Sequence, residues 1–426
     1  MTEKTKFYRW LGRLFWLSVI AVTGYTWYYM DHVVPDRISI IENQAEEFSF
    51  GLPVKATISS ESQEVSLGNE SNIPADQITI TSGQSFSMFA GNQGSYQVGL
   101  KLFGIIKLKD IQVDVVDTRY AIPCGSPIGI YLKSDGVMVI GTGRITGADG
   151  MEREPAYGKL KSGDYIEALN GTPMNTKEDL MDAVNRVGGK EEAVLTVRRE
   201  GESIDVSVEP IKSSDGQYKL GAWVRDDTQG IGTITYVDMN GRFGALGHGI
   251  SDSDTGELVE TAQGSLYTTQ IMGIEKGTIG KPGLLSGVIY YGPQSHMGDV
   301  TQNTNEGIFG TVNQQFMKDL PGEPIEIACR QDVKPGTAYI RSNISGELKD
   351  YEIEIQKVDI NAGHKNKSLV IKVVDPELLE LTGGIVQGMS GSPVLQNGKL
   401  AGAVTHVFVQ DAARGYGILA EDMIQH

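Results

Sequence analysis

Cysteine is almost missing from this 426-residue chain: only Cys124 and Cys329 occur, far apart in sequence. No Cys-x-x-Cys and no Cys/His spacing for zinc is present, so neither a disulfide framework nor a zinc module is expected. The two cysteines read as buried thiols, with a single Cys124–Cys329 disulfide as the alternative. Basic charge is also scarce: 37 Lys and Arg stand against 54 Asp and Glu, a formal net charge of −17. A nucleic-acid partner is therefore not expected, because such proteins carry a basic footprint. Histidine is limited to His32, His248, His296, His364, His406 and His426, so any catalytic histidine is one of six. No internal repeat of fixed period is visible, and one uncharged run near the N-terminus stands out as apolar.

That run is Leu14–Met30, "LFWLSVIAVTGYTWYYM", behind Lys4, Lys6, Arg9 and Arg13 and ahead of Asp31. Positive charge before an apolar stretch predicts a cytoplasmic tail over 1–13, a transmembrane signal anchor over 14–30 and export of the rest. No A-x-A cleavage site follows it. What is abundant is glycine, 53 residues, which suits a mainly β protein built from strands and turns. Residues 31–115 contain short alternating runs such as "VKATISS" and "QITITSG" and predict a β-rich juxtamembrane region without chemistry of its own.

Residues 116–212 read differently. "NTKEDLMDAVNRV" predicts a helix capped by Thr176 with Asp179 three residues on and an apolar face of Leu180, Met181 and Val184. "EEAVLTVRREGESIDVSVEP" predicts a hairpin turning near Gly201. "LKSGDYIEALNG", Leu160–Gly171, followed by that helix, resembles a PDZ domain. "PIGI" resembles the loop of that family whose amides hold a peptide's terminal carboxylate. The resemblance implies a bound peptide at Ile128, Gly129 and Ile130 by strand addition.

Residues 213–426 hold about ten strand-like runs and few helical ones, which predicts an all-β domain of two barrels. "GMSGSP", Gly388–Pro393, is either a tight turn or the frame of a nucleophilic serine. A glycine two residues before Ser390 bends the backbone so that the amides of Gly388 and Ser390 form an oxyanion hole. Ser392 is the rival nucleophile. A serine needs a base. His248, between Gly247 and Gly249, suits an exposed cleft position, with His296 as its rival; His406 lies mid-strand, where a core or wall role fits better. "DTG", Asp254–Gly256, lacks the second copy an aspartic protease requires. His248, Asp252 and Asp254 lack a further histidine at metal spacing, so neither a metal nor another cofactor is expected.

In order, an N-terminal anchor, a PDZ domain, "GALGHGISDSDTG" and "GIVQGMSGSPVLQNGKLAGAVTHV" resemble the stage IV sporulation protein B peptidases of endospore-forming bacteria. In HtrA-type quality-control proteases the protease domain comes first. The resemblance implies a chymotrypsin-like serine endopeptidase, exported and membrane-anchored in the forespore intermembrane space. It implies cleavage of other copies of itself and of a membrane protein with an extracytoplasmic domain, the inhibitory partner of an intramembrane protease. Release of a late mother-cell sigma factor would follow. It makes His248 the base, Ser390 the nucleophile and Asp375 the orienting acid, with Asp359 in reserve. The alternative from another class is a non-catalytic PDZ scaffold.

Overall fold

The computed structural model describes residues 3–49, 56–60, 65–68, 77–80, 85–102 and 105–426. A helix, α1 (Glu3–Val33), contains the uncharged run. Among the described residues no helix is long and apolar enough to cross a membrane. The run is 17 residues long and is diluted by hydroxyls; Ser18, Thr23 and Thr26 all donate to backbone carbonyls one turn back. Beyond α1, the described residues up to Val116 form two packed sheets, one of five strands and one of three. Ile38, Ile40, Leu67, Met88, Leu100, Ile111 and Val113 make their shared core.

Two closed barrels follow. The first uses β1 (Pro127–Thr142), β2 (Ala222–Asp238), β3 (Arg242–Ala245), β4 (Thr261–Glu275), β5 (His296–Thr304) and β6 (Gly307–Val312). Its pairing runs β1-β2-β3-β6-β5-β4 and closes through β1 against β4. The second uses β7 (Gly336–Ser342), β8 (Lys349–Val358), β9 (Leu369–Val373), β10 (Pro393–Gln396), β11 (Lys399–Phe408) and β12 (Asp411–Leu419). It closes in the same order, β7-β8-β9-β12-β11-β10. Closure removes the exposed edges that would otherwise invite aggregation. Asn397-Gly398 makes the turn between β10 and β11, with φ of 52° and 77°, the left-handed values that a two-residue hairpin demands.

β1 and β2 are too long for the barrel, and their outer halves leave it. There, Val137–Thr142 and Ala222–Arg225 join the strands Tyr165–Leu169, Ala193–Arg199 and Glu202–Val208 in a second sheet. A helix, α2 (Lys177–Val187), covers it, and the Thr176/Asp179 capping box is formed as expected. Leu180, Ala183 and Val184 face the core, whereas Met181 is exposed, because 180 and 184 share a helical face that 181 does not. This unit is thus inserted between the first two strands of the first barrel.

The insertion corrects the reading of "PIGI". Ile128, Gly129 and Ile130 lie in the barrel half of β1, paired on one edge to β2 and on the other to β4. Ile128 is fully buried against Ile234, Phe243 and Leu266. A strand with both edges paired has no free amides for a peptide. The motif is a barrel core segment, and the first barrel begins well before residue 213.

Candidate active site

Each barrel contributes one loop, and both loops follow the third strand. His248 comes three residues after β3. Leu246 and Gly247 have φ of 68° and 69°, so the chain turns sharply there; for leucine that conformation is costly and must be held by its surroundings. Leu246 is buried in the first-barrel core, and its amide donates to the Thr233 carbonyl at 3.2 Å. A Cβ on Gly247 would meet Ile418 and Thr405 of the second barrel at 2.9 Å each, so the close approach of the barrels requires glycine. The residues after His248 are clamped from the end of β5. Asn303 accepts from the Ile250 amide at 2.8 Å and donates to the carbonyls of Ile250 (2.8 Å) and Val259 (2.9 Å).

Nδ1 of His248 lies 2.8 Å from the Gly249 carbonyl. A carbonyl only accepts, so this bond places the proton on Nδ1 and leaves Nε2 as an acceptor. Burial pushes the His248 pKa below its ordinary value, partly offset by that bond. The imidazole is therefore neutral at neutral pH, the state a general base needs.

Ser390 sits between β9 and β10. Its Oγ donates to the Thr405 carbonyl of β11 at 2.7 Å. Its loop is held chiefly from the other barrel. The Thr233 amide donates to the Ser390 carbonyl at 3.0 Å, the Thr233 hydroxyl to the Gly388 carbonyl at 2.8 Å and the Thr235 hydroxyl to the Gly391 carbonyl at 2.7 Å. Gly391 has φ of 94°, and a Cβ there would collide with the Thr233 carbonyl. The amides of Met389, Gly391 and Ser392 are spent on Val386, Val404 and Met389. No turn or loop acceptor among the described residues takes those of Gly388 and Ser390. Ser392, the rival, is fully buried.

Among the described residues no hydrogen bond joins Asp375 to His248. Asp375 caps a short helix, α3 (Pro376–Thr382), accepting from the Leu378 amide at 3.0 Å, and its second oxygen accepts from the Glu352 amide at 3.3 Å. Both oxygens are engaged by backbone, as expected of an Asp before Pro at a helix start. Asp359 pairs with Lys357 at 3.0 Å. Asp252 is buried, accepts from the amides of Asp254 and Thr255, and pairs with Arg225, which also holds Asp254. His296 bonds to Asp299 at 3.0 Å on β5.

His406 is a wall residue of the site: its ring lies 4.8 Å from that of His248, centroid to centroid, with the planes 34° apart. Sequence reasoning missed Thr233 and Thr235. Their signal was present, two threonines two apart in "GTITYVD", hence on one strand face, but only the tertiary fold supplies the carbonyls they meet.

Residues 216–424 match the family model described as SpoIVB peptidase S55. Among solved structures, "Crystal structure of Rv3671c protease, inactive form" is similar at 14% identity. The alignment covers 46% of this chain and 81% of that one, with a TM-score of 0.25. Comparison with curated proteins finds no match.

Proposed function

We propose that this chain is a serine peptidase with Ser390 as its nucleophile and His248 as its base, a reading supported by the match of residues 216–424 to the family model described as SpoIVB peptidase S55. The observation that carries this assignment is the convergence of both loops on Thr233 and Thr405. In the reaction, Ser390 Oγ leaves the Thr405 carbonyl, gives its proton to His248 Nε2 and bonds to the scissile carbonyl carbon. The amides of Gly388 and Ser390 bind the oxyanion. As the C–N bond breaks, the imidazolium returns the proton to the leaving amine. Water then hydrolyses the acyl-enzyme by the same base. The Gly249 carbonyl, accepting from Nδ1, fixes the tautomer through both steps.

The substrate proposal is narrower and rests on the family. The chain cleaves other copies of itself and the extracytoplasmic domain of a membrane protein that restrains an intramembrane protease, so that a late sporulation sigma factor is released. Its place of action is the forespore intermembrane space. The test combines a serine-directed phosphonate with Ser390→Ala in the full chain. Mass mapping should place the adduct on Ser390, and the variant should lose about 10⁶-fold in turnover. An adduct elsewhere, or full activity of the variant, overturns the assignment. Cleavage of unfolded casein as fast as of a membrane-protein partner would instead favour general quality control.

A further inference from the structure

Among the described residues the His248 ring makes one hydrogen bond, to the carbonyl of its own neighbour Gly249. That bond sets the tautomer. The ring also meets the second barrel, where His406 presents its own ring at 4.8 Å and 34°. His406 follows Thr405, whose carbonyl holds the Ser390 hydroxyl. One stretch of β11 therefore touches both reacting side chains, the serine through a carbonyl and the histidine through a ring.

Nothing in the bonding of His406 explains an imidazole at this position. Its Nδ1 is buried and has no hydrogen-bond partner among the described residues. Its pKa is pushed down to about 4, first by burial, then by His248 and by Lys367. Lys367 stands over the Tyr416 ring and Arg414 over the Phe408 ring. No carboxylate contributes to the His406 shift. At neutral pH the contact is thus between two uncharged rings.

We propose that His406 is a positioning residue, whose ring face holds the His248 ring in the orientation that aims Nε2 at Ser390 and screens it from water. The proposal rests on the peptidase reading above. A ring of similar shape should serve as well as imidazole, and a side chain without a ring should not.

The experiment uses the full chain and p-nitrophenyl acetate as probe, comparing wild type with His406→Phe, His406→Ala and His406→Leu across pH. His406→Phe should keep kcat within about threefold. His406→Ala and His406→Leu should lower kcat by roughly 10- to 100-fold, the scale of a small misplacement of a reacting group, with KM little changed. In His406→Ala water reaches His248, its pKa rises toward the ordinary value, and the acid limb of kcat/KM moves to higher pH; in His406→Phe the limb stays. If His406→Ala fails to fold, His406→Leu decides on kcat alone. Wild-type kcat in the ringless variants, or a Phe variant as impaired as they are, overturns the proposal. Phosphonate labelling of wild type separates the two levels: an unlabelled Ser390 defeats the peptidase reading, whereas a labelled Ser390 with an indifferent His406 defeats only this inference.

Discussion

The Thr233 hydroxyl of the first barrel donates to the Gly388 carbonyl in the nucleophile loop of the second, at 2.8 Å. Two residues on, the Thr235 hydroxyl does the same for Gly391 at 2.7 Å. The loop that carries Ser390 is therefore shaped by the barrel that carries His248. Thr235→Val keeps the volume and removes the donor, leaving a buried carbonyl unpaired at a cost of about 1–3 kcal/mol. Denaturant unfolding should show that loss. Turnover should fall by about tenfold or more in both Thr233→Val and Thr235→Val, because the loop amides lose their aim.

Asp375 separates two accounts of the site. An orienting acid changed to Asn costs about 10⁴-fold in kcat. A helix cap changed to Asn costs little, since Asn caps as well as Asp. The structure predicts that Asp375→Asn retains activity within a few-fold. Asp375→Ala should lose about 1 kcal/mol of stability, read as a lower midpoint in urea. A dead Asn variant with wild-type stability would restore the catalytic role.

Ile128→Asp tests the reassignment of "PIGI". In a peptide-binding loop the change would spare hydrolysis of a short soluble substrate. In a barrel core it buries an unpaired carboxylate, which costs several kcal/mol. The expected outcome is loss of folding by circular dichroism, and with it loss of activity on every substrate.

Both site histidines have pKa values lowered by burial. For activity, a base with a depressed pKa stays neutral to lower pH, so the acid limb of kcat/KM should lie below 6.5. For stability, the unfolded chain binds a proton at His406 from about 6.5 downward, while the folded chain refuses it until about 4. Stability should therefore fall as pH drops through that window and be fully present above it. A stability profile for His406→Phe with a shallower slope between pH 6.5 and 4 than wild type would confirm the sign; an unchanged slope would contradict it.

Much of this protein was determined locally, and there the residues spoke for themselves. Thr176 with Asp179, Asn397 with Gly398 and Asp375 with Pro376 specify a helix start, a hairpin and a second helix start, because caps and turns depend on residues within a few positions. Gly388-x-Ser390 and the glycine-flanked His248 marked the two loops, since sharp turns need glycine. Tertiary structure decided what each motif meets. A strand core and a binding loop share the letters Pro-Ile-Gly-Ile, and only the pairing of both edges of β1 distinguishes them. Asp375 reads as the acid by resemblance until its two oxygens are seen on the amides of Leu378 and Glu352. His406 gave no sign of its neighbour: 158 residues separate it from His248, and the contact exists only because two barrels, each closed by its own strand pairing, press these loops together.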